Sequence, residues 1–221
     1  MEGFCRPPHL RMKSVPSLKL QKAELRKSYR LKRAGLGGEQ RLALDAAINR
    51  HLLGYTERFR PGTVAAFAAF DGEPDLAPAL RQLDVDGVRL ALPVILDEPG
   101  RPVIGFRQWR PTDEMKSNRY GIPEPVGTLE LRLSEIDLVL LPLVAWDEYG
   151  GRLGMGASFY DRLFEPFAGE DSPIRTGVGY NLQRSERLPL DPWDVRLHQV
   201  LTESGCFTCR NERRGRPHPD P

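Results

Sequence analysis

One segment restricts the possible folds more than any other. Residues 136–144 (IDLVLLPLV) form an unbroken apolar run. The chain then passes through Trp146 and Asp147 into a glycine-rich stretch, Gly150-Gly-Arg-Leu-Gly-Met-Gly156, and a helical pattern follows to about Phe164. A run without polar alternation suits a strand covered on both faces, as inside a parallel sheet. Strand, glycine turn and helix is the local order at the carboxyl edge of an open α/β sheet, where ligands bind. Glycines let backbone N–H groups approach a phosphate, and the helix start adds its dipole. Sharp turns need glycine whatever they bind, so the loop alone leaves both readings open.

The rest of the chain alternates in the same way. Residues 18–36 read as a helix, with Leu18, Leu25, Tyr29 and Leu36 on one apolar stripe. Lys19, Lys22, Arg26, Arg30 and Arg33 share the adjoining sector. Like charges at this spacing disfavour a helix slightly, so the stripe reads either as an anion-binding face or as a solvated one. A second helix is predicted over residues 40–53, and a strand over 63–70 (TVAAFAAF) that ends at Asp71-Gly72. Asp75 is a candidate N-cap for a helix reaching Leu83. Further strands are predicted over residues 88–95, 102–109, 174–180 and 198–202. This alternation predicts a single layered α/β domain over residues 18–205, with a mostly parallel central sheet flanked by helices. Residues 1–17 and the Arg/Pro-rich 206–221 are expected to be flexible tails.

Charge then decides where a partner can act. Of 221 residues, 32 are Lys or Arg and 30 Asp or Glu, a net charge of +2. That balance excludes a strong overall field for nucleic acid, so any anion site must be local. The arginines of residues 210–216 are too few, and too close to prolines, to argue for RNA. Cys5, Cys206 and Cys209 cannot build a disulfide framework, which points to a reducing cytoplasm. Cys206 and Cys209 form a CxxC without a second ligand pair, and two ordinary thiols are expected rather than a zinc site. No stretch approaches the roughly 20 apolar residues of a membrane span, and none is expected to meet a membrane.

Within that frame, Arg152-Leu-Gly-Met-Gly-Ala-Ser-Phe-Tyr-Asp161 resembles the R-L-G-x-G-x-G-[YF]-Y-D signature of the 5-formyltetrahydrofolate cyclo-ligase family. Lys22-Ala-Glu-Leu-Arg26, Phe70-Asp-Gly-Glu73, Tyr120-Gly-Ile-Pro-Glu-Pro125 and residues 136–147 resemble four more family segments in the family's order. The resemblance implies a Rossmann-like fold. It also implies an ATP- and Mg²⁺-dependent conversion of 5-formyltetrahydrofolate to 5,10-methenyltetrahydrofolate, with release of ADP and phosphate. It further implies a monomeric cytoplasmic enzyme, possible acceptance of polyglutamylated folate being left open.

Carried over by position, Lys22 and Arg26 would hold ATP phosphates. Arg152, Gly154, Met155, Gly156, Ala157, Ser158, Phe159 and Tyr160 would form the nucleotide loop. Glu73, Tyr120, Phe159 and Tyr160 would meet the folate, and Glu73, Tyr160 and Arg152 would act in catalysis. Asp161 and Asp194 would bind Mg²⁺. Lys19, Arg30 and Arg33 match no family segment and keep the solvated-face reading.

The chain departs from the family pattern in four places. Ser158 replaces a glycine, Leu143 replaces another, and His198 stands where an aspartate often follows Asp194. The stretch 180–189 also looks about two residues short, which leaves its glutamine unplaced. These departures keep open a second reading, a low-activity folate- or nucleotide-binding paralogue that sequesters or regulates.

Overall fold

The computed structural model describes residues 17–98, 101–167 and 169–210. The predicted tails therefore lie outside the described residues except for Ser17 and residues 206–210, and Cys5 lies outside them too. Two helices open the chain, α1 (Leu18–Ala34) and α2 (Gly38–Phe59). The Ser17 hydroxyl oxygen caps α1 by accepting from the Leu20 N–H at 3.4 Å. Helix α2 outruns the predicted residues 40–53 because Ile48, Asn49, Leu52 and Thr56 keep one face buried at helical spacing.

The sheet is built next. Strand β1 (Thr63–Ala65) is followed by α3 (Ala77–Val85) and by the hairpin of β2 (Arg89–Glu98) and β3 (Arg101–Gln108). A second small hairpin joins β4 (Met115–Ser117) to β5 (Pro123–Pro125), and β6 (Glu130–Leu131) returns to the sheet. Then come β7 (Leu138–Pro142), the short pair β8 (Ala145–Trp146) and β9 (Arg152–Leu153), and helix α4 (Phe159–Phe164). Strands β10 (Ile174–Val178), β11 (Gln199–Thr202) and β12 (Gly205–Thr208) finish the chain.

Eight strands lie in the order β12-β11-β10-β7-β1-β2-β3-β6. The five from β11 to β2 are mutually parallel; β12 and β3 pair antiparallel with the two ends of that group, and β6 pairs antiparallel with β3 at the far edge. The predicted mostly parallel α/β layer is therefore present. Strand β7 shows why its sequence has no polar alternation. Leu138 and Leu140 pack with α2 and α3 on one face, while Val139 and Leu141 pack with Phe164 on the other. All four are at most 1% exposed, and each such side chain contributes about 1.5–3 kcal/mol by leaving water.

Three expectations need correction. The strand predicted over residues 63–70 ends at Ala65. The Ala66 N–H still donates to the Ala91 carbonyl at 2.9 Å, and the chain then leaves the sheet so that Phe67 and Ala68 face a cavity. Asp75 caps α3 from one position further out than expected, accepting from the Ala77 N–H at 2.9 Å, with Leu76 at the N-cap. The C-terminal tail was placed from Cys206, yet residues 205–208 form edge strand β12, paired along β11. Cys206 packs into one core cluster and Cys209 into the cluster on the opposite face of the sheet. Burial raises their thiols to about 11 and about 12, so both are uncharged at neutral pH.

Candidate active site

A cavity of about 730 Å³ opens beyond the carboxyl ends of β1 and β7, between α1, the Asp71 turn, the β2–β3 hairpin, the glycine loop and residues 191–194. This is the place where an open parallel sheet offers a crevice. Every residue named above as a candidate for ATP, folate, catalysis or Mg²⁺ lines it. They come from segments up to 172 residues apart.

Helix α1 supplies one wall. Lys22 is 7% exposed, and its Nζ donates to Asp191 Oδ2 at 2.6 Å and Asp194 Oδ2 at 2.5 Å. Burial works against the ammonium charge, but the two carboxylates outweigh it and hold the Lys22 pKa above the ordinary lysine value. One turn on, Arg26 Nε donates to the Gly154 carbonyl at 2.8 Å. Gly156 has φ +105°, a backbone conformation that favours glycine, and it lies in contact range of the Arg26 guanidinium.

The same helix corrects the solvated-face reading of Arg33, while Arg30 stays exposed. Arg33 is 1% exposed; its Nη2 donates to Asp71 Oδ2 at 2.9 Å and its Nη1 to the Leu143 carbonyl at 3.2 Å. Arg30 grips Asp71 with two nitrogens, at 2.9 and 3.1 Å. Lys19 is exposed, and it too lines the cavity.

Across the cavity, Arg152 Nη2 donates to Asp161 Oδ1 at 2.8 Å. Its guanidinium carbon lies 5.5 Å from the centre of the Tyr160 ring. Arg152 Nε is buried with no protein partner, a donor at the cavity wall. Burial pushes the Tyr160 hydroxyl pKa well above the ordinary tyrosine value, so it remains protonated and able to donate. Tyr120 sits exposed at the tip of the β4–β5 hairpin, edge-on to Phe159 with ring centres 6.2 Å apart.

Glu73 closes the far end. The Phe70 N–H donates to its Oε2 at 3.1 Å, and the Glu73 N–H donates to the Phe70 carbonyl at 3.0 Å. Loss of water around the carboxylate raises its pKa to about 7, against the opposing pull of that N–H and of Arg33. Sequence reasoning missed Asp191, Trp193, Asn118 and Glu124, which line the same cavity. Asp191 had a signal, three residues before Asp194, but nothing local shows that both reach Lys22.

The fold and site can now be set against known proteins. The model of the 5-formyltetrahydrofolate cyclo-ligase family matches residues 18–203. The chain belongs to that family. It is 36% identical over 178 residues to the 5-formyltetrahydrofolate cyclo-ligase of Escherichia coli K12, which covers 79% of this chain and 96% of that one. The Haemophilus influenzae cyclo-ligase is 33% identical over 183 residues, 82% of this chain and 97% of its own length. The NMR structure of Aquifex aeolicus 5,10-methenyltetrahydrofolate synthetase matches with a TM-score of 0.73 and 30% identity, over 90% of this chain and 97% of that one. A Mycoplasma pneumoniae synthetase structure at 24% identity shares the fold, with a TM-score of 0.67.

Membership of the cyclo-ligase family gives the departures a structural meaning. Ser158 holds φ +51° and ψ +28°, the left-handed region that a glycine would occupy without strain. Leu143 fills space left by two glycines: a Cβ on Gly177 or Gly179 would lie 2.8 or 2.6 Å from its methyl carbons. His198 does not line the cavity. Its Nδ1 accepts from the Arg175 N–H at 3.0 Å at the start of β11, so the histidine takes no part in the carboxylate pair. Gln183 is fully buried, donating to the Leu143 and Val144 carbonyls at 2.9 and 3.0 Å. It anchors the end of β7 without lining the cavity.

Proposed function

We propose that the protein converts 5-formyltetrahydrofolate to 5,10-methenyltetrahydrofolate, using ATP with Mg²⁺ and releasing ADP and phosphate. The observation that carries the proposal is the convergence on one cavity of a cationic wall and an end lined by a carboxylate and aromatic rings. The wall is Lys22, Arg26 and the loop from Gly154 to Ser158; the far end is Glu73 with Tyr120, Phe159 and Tyr160 between. Family membership supports the same reading.

The donor set suits a hard cation. Asp161 and Asp194 offer carboxylate oxygens beside the cationic wall, and Mg²⁺ characteristically takes one or two carboxylates plus substrate phosphates. The cation supplies charge neutralisation on the phosphates. Lys22 and Arg152 are each held by carboxylates, which fixes both side chains at the cavity wall where phosphates would bind.

A formamide carbonyl is a poor electrophile and its oxygen a poor leaving group. In the proposed reaction the formyl oxygen attacks the γ-phosphorus of ATP and ADP departs, leaving an iminium-like carbon bearing a phosphate ester. The N10 lone pair attacks that carbon, the N10 proton is lost, and the C–O bond breaks to release phosphate. The chain contributes position and charge: Lys22, Arg26 and the loop N–H groups hold phosphate oxygens, and Arg152 offers its buried Nε to the transferring group. Glu73, whose pKa burial raises to about 7, hydrogen-bonds the pterin and fixes the formyl group. Tyr160 donates its hydroxyl, and Tyr120 and Phe159 give ring faces to the folate.

Purified protein with 5-formyltetrahydrofolate and Mg·ATP should build up the near-ultraviolet absorbance of methenyltetrahydrofolate, with one ADP per product. Folate binding without product, even at high enzyme, would instead support the sequestering paralogue.

A further inference from the structure

Arg33 lies outside every segment that resembles the family, yet it is the most deeply buried cation of α1. Its guanidinium spans two parts of the cavity frame. Nη2 binds Asp71, and Nη1 binds the carbonyl of Leu143, the cavity-lining residue that follows β7. Asp71 begins a tight turn: Asp71 has φ +52° and Gly72 has φ +78°, two successive left-handed residues, which an Asp-Gly pair adopts readily. Three donors of α1 then fix where the Asp71 carboxylate lies. A side chain on Gly72 would collide with the Arg41 guanidinium, whose Nη2 donates to the Arg33 carbonyl at 3.1 Å. Two residues after Asp71, the turn closes on Glu73 through the paired Phe70 hydrogen bonds.

We propose that Arg33 is a positioning residue for the folate end of the cavity: clamping Asp71 against the end of β7, it fixes the turn that aims Glu73 at the substrate. The inference rests on the folate reading of Glu73 given above. It also joins the two ligands, because α1 carries Lys22 and Arg26 on the phosphate wall and Arg30 and Arg33 on the Asp71 turn.

The groups around Glu73 make the clamp measurable. Arg33 on α1 draws the carboxyl toward its charged form, and Asp71 on its own turn opposes ionisation. From α4, Tyr160 senses the Glu73 charge, and Glu124, Arg152, Lys22 and Arg26 stand on the same cavity wall. Removing Arg33 should therefore raise the Glu73 pKa, and removing the Asp71 charge should lower it. Mere loosening of the turn would move both the same way.

The test is a ¹³C-carboxyl NMR titration of Glu73 in the ligand-free full chain, assigned with Glu73→Gln, together with calorimetric binding of 5-formyltetrahydrofolate. Arg33→Met should raise the Glu73 midpoint by about one pH unit and Asp71→Asn should lower it. Each variant should weaken folate binding at least tenfold and change binding of ATP alone less than twofold. Arg33→Lys, which keeps the charge but loses the fork, should leave the midpoint near the wild-type value with folate binding still weakened. If Arg33→Met does not fold, Asp71→Asn decides alone. Unmoved or parallel shifts, or folate binding that neither variant weakens, overturn the clamp. Glu73→Gln binding folate as the wild type does would overturn the folate role of Glu73 itself, a result distinct from failure of the clamp.

Discussion

Glu73 and Ser158 are residues whose cost in the fold can be measured. The carboxyl of Glu73 loses water in the cavity, so the native state keeps a proton that the unfolded chain releases near pH 4.5. Stability should accordingly fall as the pH rises from about 4.5 to about 7, and stay reduced above it. Glu73→Gln carries no charge to desolvate. Thermal unfolding should place its Tm above that of the wild type at pH 8 and level with it at pH 4.5, while folate binding weakens. Ser158 bears a left-handed backbone at the start of α4. Ser158→Gly should stabilise by about 1 kcal/mol in urea unfolding, because glycine takes that region freely. An unchanged midpoint would mean that the serine hydroxyl repays the strain. Lys22, Arg26 and Asp161, which line the cavity, were legible as candidates because each stands in a segment resembling the family. Arg33 and Asp191 were not, since each is explained by a partner 38 or 169 residues away.

At the scale of elements, the sheet was readable wherever burial alone sets the pattern. Strand β7, covered on both faces, left an apolar run that could be nothing else in this context. Residues 63–70 left the same kind of run but form a strand only to Ala65, because Phe67, Ala68 and Phe70 of the later half give an apolar lining to the cavity. Periodicity does not distinguish a wall of a ligand site from the inside of a sheet. Strand β12 was missed for the opposite reason: four residues, two of them exposed, carry too little alternation to register. Packing between elements is close where β10 passes Leu143 and Leu197. A methyl group on Gly177 would sit 2.5 Å from a Leu197 carbon and 2.8 Å from a Leu143 carbon. Gly177→Ala should therefore cost about 1–3 kcal/mol in urea unfolding. In the same series, Leu143→Gly combined with Gly177→Ala should still be destabilised, because the Leu197 contact remains.

For the molecule as a whole, the site is a meeting of distant segments on a parallel-sheet edge. No described helix is long and apolar enough to cross a membrane, and Lys19, Lys22 and Arg26 of α1 face a local cavity. If the cavity holds both substrates in the proposed order, its two ends should be separable in kinetics. Lys22→Ala should raise the KM for ATP tenfold or more and the KM for 5-formyltetrahydrofolate far less; equal effects on both would remove Lys22 from the phosphate wall. The central claim is that ATP phosphorylates the formyl oxygen in this cavity, and isotope transfer tests it most directly. With 5-formyltetrahydrofolate labelled with ¹⁸O in the formyl group, turnover should deliver the label into the released phosphate, one atom per methenyl product. Methenyl product formed with unlabelled phosphate, the ¹⁸O passing to water, would contradict it.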